Sequence, residues 1–138
     1  QGGSTANGNW LPTAKGPNDP CPEGFRVPSQ GEWQAVIASN SPSRTGTNGT
    51  TAEFGSALHF GQSGKQLTLP AAGRRYFGAG QLQSRGSSGL YWSSTESDPP
   101  VNTSGPFAIY LGFDQPSLFT SNNKGERTYG YSVRCIAE

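Results

Sequence analysis

The chain has 138 residues, a net charge of +1, 31% hydrophobic and 14% charged residues, 20 Gly and 11 Pro. That is the size of one domain, able to bury about two thirds of its unfolded surface. The longest basic cluster is Arg74-Arg75 and no apolar run nears the ~18 residues of a spanning helix, so neither nucleic-acid binding nor membrane insertion of this fragment is expected.

Residues 1–9 are rich in Gly, Ser and Asn and read as a flexible lead-in, with a single domain expected over 10–138. Gln1 follows no Met and the chain contains none, which suggests a mature or trimmed fragment. Trp10-Leu11-Pro12 is the first apolar anchor, and Pro17, Pro20 and Pro22 make the following stretch an ordered loop. The clearest helix is expected over about 29–39. Ser29 and Glu32 have the capping-box spacing, Trp33, Val36 and Ile37 form the i, i+3, i+4 stripe, and the Ser39-Asn40-Ser41-Pro42 run stops it. A second short helix is expected over about 52–60, with Phe54, Ala57 and Leu58 on one face and Gly55 weakening it. Short strands are expected at 66–70, 73–77 and 90–95, turns at 78–80 and 122–126, and a closing strand over 129–136 in which Tyr131, Val133 and Cys135 alternate. Helices early and strands late describe an α+β domain with a short antiparallel sheet.

The most regular stretch is 106–121. Phe107, Ile109, Leu111 and Phe113 share one parity, which predicts a strand with these four facing a core. Ala108, Tyr110, Gly112 and Asp114 then face outward, Asp114-Gln115-Pro116 makes a turn, and a return strand carries Phe119 inward and Leu118 and Thr120 outward. The outward set lacks the Lys and Glu of an ordinary solvated face, so function is expected there. Tyr110 and Tyr129 would give rigid anchor area, Asp114 and Thr120 directional polar contacts, and Gly112 room for close approach.

Cys21 and Cys135 lie too far apart in sequence for a clustered metal site or a C-x-x-C motif, leaving a disulfide or two buried thiols. His59 beside Leu58 and Phe60 reads as packed or surface rather than catalytic, and no Ser-His-Asp set assembles. Arg74 and Arg134 are expected to pair with acids inside the fold, and Tyr91 and Trp92 to be core. No catalytic residue, metal site or cofactor is expected.

Four segments carry a resemblance: residues 21–29 (CPEGFRVPS) leading to Glu32-Trp33, 69–74 (LPAAGR), 89–96 (GLYWSSTE) and 130–135 (GYSVRC). In that order they resemble the Fibrobacter succinogenes major paralogous domain, a bacterial surface family similar in fold to C-type lectins, in the branch that includes formylglycine-generating enzyme. The resemblance implies termini close together, in agreement with a Cys21–Cys135 bond, and export as a module of a surface lipoprotein or pilus tip. It implies no common enzymatic activity. The chain has only Cys21 and Cys135, in segments that read as structural, so the cysteine-pair chemistry of the oxygen-using relative has no carrier. The Glu-Pro-Asn and Trp-Asn-Asp calcium ligands of sugar-binding members are missing too, since Trp92 is followed by Ser93-Ser94.

Residues 91–95 (YWSST) and 130–135 (GYSVRC) also resemble the framework of the variable proteins of diversity-generating retroelements, in which selected outward positions are randomised on a fixed frame. By that resemblance the varied, ligand-binding positions are Asp98, Val101, Tyr110, Gly112, Asp114, Leu118, Thr120, Thr128 and Tyr129. The expected function is a non-catalytic, monomeric binding or adhesion module at a bacterial surface, taking a protein or glycan ligand. The alternative is a structural subunit of a surface lipoprotein or pilus tip with no ligand of its own.

Overall fold

The computed structural model describes residues 10–46, 55–97, 106–114, 117–119 and 123–138. In chain order these form β1 (Phe25–Arg26), α1 (Gln30–Ala38), β2 (Ser43–Thr45), β3 (Ala57–Phe60), β4 (Leu67–Pro70) and β5 (Arg74–Arg75). There follow β6 (Leu82–Gln83), β7 (Gly89–Ser97), β8 (Phe107–Phe113), β9 (Leu118–Phe119), β10 (Lys124–Glu126) and β11 (Ile136–Ala137). One helix with many short antiparallel strands makes a small α+β domain. The strands fall into a four-stranded sheet in which β8 pairs with β7, β9 and β10, a three-stranded sheet β2-β3-β4, and the ribbons β1-β11 and β5-β6.

The helix begins where its cap chemistry dictates. The Ser29 hydroxyl accepts the Glu32 amide, and the Glu32 carboxylate accepts the Ser29 amide at 2.8 Å, so two amide donors at the helix start are satisfied. Trp33 is buried and its indole N–H donates to the Trp92 carbonyl at 3.3 Å, while Val36 and Ile37 pack on the same core. The Gln30 amide donates to the Thr95 hydroxyl, which ties the helix start to β7.

The core comprises Trp33, Leu58, Phe60, Leu69, Ala71, Tyr91, Leu111 and Phe113. On β8, Phe107, Ile109, Leu111 and Phe113 are all buried, as their parity predicts, but Ala108 and Gly112, expected to face outward, are buried as well. Gly89 lies opposite Phe113, and a Cβ there would stand 2.2 Å from that ring, so the smallest residue leaves the space Phe113 fills. Tyr91 and Trp92 are core as expected, and the Tyr91 hydroxyl donates to the Pro70 carbonyl at 2.7 Å.

Three local expectations are corrected. In place of a second helix over 52–60, Ala57–Phe60 is the central strand of its sheet; residues 52–54 lie outside those described. Leu58 is wholly buried opposite Leu69, and ladder partners on both sides outweigh the weak nucleation of so short a helix. In place of a turn at 122–126, Lys124–Glu126 pairs with β8 as a polar strand, a composition common at sheet edges. In place of a continuous strand over 129–136, the chain makes isolated bridges at Gly130 and Ser132 and becomes a strand only at Ile136–Ala137. Tyr131 packs over the four-stranded sheet while Cys135 turns to Cys21, so Val133 is left exposed.

Cys21 and Cys135 are joined by a disulfide, with 5.8 Å between their Cα atoms. Around it, Asp19 accepts the Cys21 and Val27 amides at 2.9 Å, and β1 pairs with β11. The Lys15 amide donates to the Glu138 carboxylate, so residues 15 and 138 meet. No described helix is long and apolar enough to cross a membrane.

Candidate functional site

The outer face of β8 is covered, not bare. Trp92 sits opposite Tyr110 across the β7–β8 ladder, and their rings meet edge to face with centroids 6.1 Å apart. Tyr131 lies over both, 4.3 Å from Trp92 in a stacked pose and 4.9 Å from Tyr110. It is held there because the Ser132 amide donates to the Leu90 carbonyl and the Trp92 amide to the Ser132 carbonyl. Small residues make the room: a Cβ on Gly125 would stand 3.0 Å from the Tyr131 ring and 3.1 Å from the Trp92 ring.

This layer continues to the surface. Tyr129 stacks on Tyr131 at 5.7 Å, and Tyr76 and Phe77 pack on Tyr129 at 5.9 and 5.2 Å. Trp92 is buried, Tyr110, Tyr131, Tyr129 and Tyr76 are half-buried, and Phe77 is 50% exposed. Six rings thus form one strip from the sheet to the loop that joins β5 to β6. That loop is closed by the Tyr76 amide donating to the Gln81 carbonyl and the Gly80 amide to the Tyr76 carbonyl. Ribbon β5-β6 is set against the sheet by the Gly73–Gly89 bridge, and Gly73, at φ +71°, passes so near Gln83 within the ribbon that a Cβ would lie 2.2 Å from its carbonyl oxygen.

Arg74 is corrected from an internal ion pair to a member of this strip. Its guanidinium lies 4.8 Å above the Tyr129 ring and its Nε donates to the Gln83 amide oxygen at 3.2 Å. Burial pushes the Tyr131 phenol up to about 12, with Arg74 working against the rise, and burial likewise raises Tyr110. These phenols are therefore neutral hydroxyls at ordinary pH, suited to hydrogen bonding rather than to proton transfer.

The structure brings Tyr110 and Tyr129 together through Tyr131. Gly112 is buried, and the space above it is already filled: a Cβ would stand 2.9 Å from the Tyr110 ring and 3.4 Å from Leu90, so Gly112 seats Tyr110 instead of admitting a ligand. Asp114 is half-buried and its amide donates to the Ser117 carbonyl at 3.1 Å. Thr128 is exposed, with its hydroxyl donating to Glu126 at 3.4 Å. Leu118 pairs with Phe113 in the backbone ladder. Asp98, Val101 and Thr120 lie outside the described residues.

Sequence reasoning missed Arg74, Tyr76, Phe77 and Tyr131. A usable signal was present, since residues 66–95 contain Arg74, Arg75 and Arg85 and no Asp or Glu. Elsewhere, His59 bridges Thr45 and Thr68, each 2.9 Å from a ring nitrogen, and so ties three strands together. Among the described residues no group of three His, Cys, Asp or Glu side chains is placed to hold a metal ion. A cleft of about 10 Å³ between α1 and β8 beside Tyr110 has room for about one water molecule.

The family described as Domain of unknown function (DUF8237) matches residues 60–136, more than half of the chain and all six rings of the strip. The chain belongs to this family. The DUF8237 segment includes β4 to β10 whole and the residues that place Tyr131, whereas α1 and Cys21 precede it. No curated protein and no solved structure matches the chain.

Proposed function

We propose that this domain is a non-catalytic binding module displayed at a bacterial surface, with the aromatic strip as its contact area. The observation that carries the reading is the run of half-exposed rings from Tyr110 to Phe77, centred on Tyr129. Tyr, Trp and Arg dominate the energetics of binding surfaces because they offer large contact area with few rotatable bonds. Isolated exposed apolar residues need no explanation, but a contiguous strip tied to a rigid sheet does. The disulfide is compatible with an extracellular setting.

In this reading the scaffold is C-type lectin-like, as its resemblance to the Fibrobacter succinogenes major paralogous domain implies, and of its varied positions Tyr110 and Tyr129 lie in the strip and Gly112 against Tyr110. Tyr110 and Tyr129 contact the ligand directly, and Gly112 acts through Tyr110. The test is capture from an envelope or host-surface extract by the oxidised chain. Tyr129→Ala should weaken the captured interaction at least tenfold, about 1–2 kcal/mol, while unfolding stability changes by no more than about 1 kcal/mol. Unchanged affinity would remove the strip from the contact area, and concentration-dependent self-assembly without capture would favour a structural subunit.

A further inference from the structure

The strip has a charge as well as a shape. Three described cations are matched with carboxylates: Arg26 with Glu32 at 2.6 Å, Arg127 with Glu96 at 3.3 Å and Lys15 with Asp19 at 3.5 Å. Arg74 differs. Among the described residues no ion pair joins it to a carboxylate, and it rests on the Tyr129 face with Gln83 accepting from Nε and Tyr131 also hydrogen-bonded to it. A guanidinium has five N–H donors in a fixed fork, so these neutral partners orient it and leave donors for a carboxylate. The sequence around it supplies none, because residues 66–95 contain no Asp or Glu. Glu126, the nearest acid before Tyr129 in sequence, takes a hydrogen bond from Thr128.

The ring geometry narrows the partner. Phe77 stands at 87° to Tyr129 and Tyr76 at 60°, so the exposed end of the strip is a ridge of edges and faces and not one continuous flat shelf. Sugar hydroxyls are also commonly gripped by acidic and amide side chains, and here Gln83 is already bonded to Arg74. Side chains of a polypeptide fit between rings set at such angles. We propose, resting on the binding-module reading, that the strip recognises an acidic segment of a partner protein, with Arg74 receiving a carboxylate while Tyr76, Phe77 and Tyr129 pack on the apolar side chains beside it.

Arg75 provides an internal control. Successive strand residues point to opposite faces, and Arg75 instead donates to the Gly80 carbonyl at 2.9 Å. The same net charge can therefore be removed on or off the strip. The oxidised chain is applied to immobilised synthetic peptides that share one leucine- and tyrosine-containing frame and carry Asp/Glu, Ser or Lys at the variable positions, with polygalacturonate gel as a carbohydrate arm. The expected result is retention on the acidic peptides, weakened by added salt, reduced about tenfold or more by Arg74→Gln, little changed by Arg75→Gln and partly kept by Arg74→Lys. Near-UV circular dichroism of each variant shows whether the strip is still assembled.

Equal retention on all three peptide sets, equal loss with Arg74→Gln and Arg75→Gln, or retention on polygalacturonate without retention on acidic peptides would overturn the inference. Those outcomes leave the binding module standing if Tyr129→Ala still abolishes capture from the extract. If Tyr129→Ala leaves capture intact, the module reading fails as well.

Discussion

The two ends of this molecule handle polar and aromatic groups in opposite ways. Around the disulfide, each buried charge has a dedicated partner: the Asp19 carboxylate is wholly buried and takes two backbone amides and Lys15, and Arg26 grips Glu32 with both terminal nitrogens. At the aromatic end, phenols and a guanidinium touch mainly one another and stay half in water. A buried ion that loses its partner is costly, so the first arrangement is rigid and specific. Half-exposed rings contribute less to folding and keep area free for a partner. The contrast separates a part built to hold the chain closed from a part built to touch something else.

The sharpest way to test that division is to open the closed end. Cys21→Ala with Cys135→Ala removes a cross-link spanning 114 positions, which the chain-entropy account values at about 4–5 kcal/mol. Urea unfolding should show a loss near that size. The near-UV signal of the strip should persist in whatever fraction remains folded, because Trp92, Tyr110 and Tyr131 are fixed by β7, β8 and the Ser132 bridge. Loss of the aromatic signal ahead of the cooperative transition would show that the two ends are not separable.

A smaller change asks whether the closed end is also electrostatic. The hydrogen bond from Arg26, assisted by Ser29, holds the Glu32 carboxyl down at about 2, against 4.5 for the free group. A carboxyl depressed in the folded state stabilises fully above its unfolded value and loses that contribution as pH falls toward its folded one. Stability should therefore decline from about pH 4.5 to pH 2. Glu32→Gln should cost about 2 kcal/mol at neutral pH, since it breaks the pair with Arg26 and weakens the cap. It should also flatten that acid limb while leaving peptide retention unaltered. An acid limb unchanged in the variant would assign the pH dependence to other carboxylates.

How much of this was legible beforehand depends on the range of the interaction. The capping box at Ser29 and Glu32 and the inward parity of Phe107 to Phe113 are local patterns, and both appear in place. Ala57–Phe60 was misread because its strand character comes from neighbours on β2 and β4, which a helical spacing of apolar residues does not reveal. The site was half legible. Tyr110 was named from strand alternation and, like Tyr129, from the family resemblance, but Arg74, Tyr76 and Phe77 join them only because Arg75 bridges to Gly130, 55 positions on by their residue numbers. Gly112 shows the limit of reading a face from alternation: the parity is right, yet whether that face meets water depends on Tyr131 arriving from the last segment of the chain.

Gly112 also supports the finest test. Its φ lies outside the left-handed region, so alanine is allowed by the backbone and should restrict the unfolded chain slightly, a gain of up to about 1 kcal/mol. Against this, the new methyl group would stand 2.9 Å from the Tyr110 ring and must push it aside. The two effects oppose each other, and the net stability of Gly112→Ala should fall within about 1 kcal/mol of the parent. Binding and the near-UV spectrum have no such compensation, because both report where Tyr110 sits relative to Trp92 and Tyr131. The expected outcome is near-parental unfolding with altered aromatic dichroism and weaker capture. An unaltered spectrum and affinity would mean that the ring relaxes without consequence. Variation at position 112 would then have no route to the contact surface, whereas a shifted spectrum makes that residue a means of re-aiming Tyr110 from beneath.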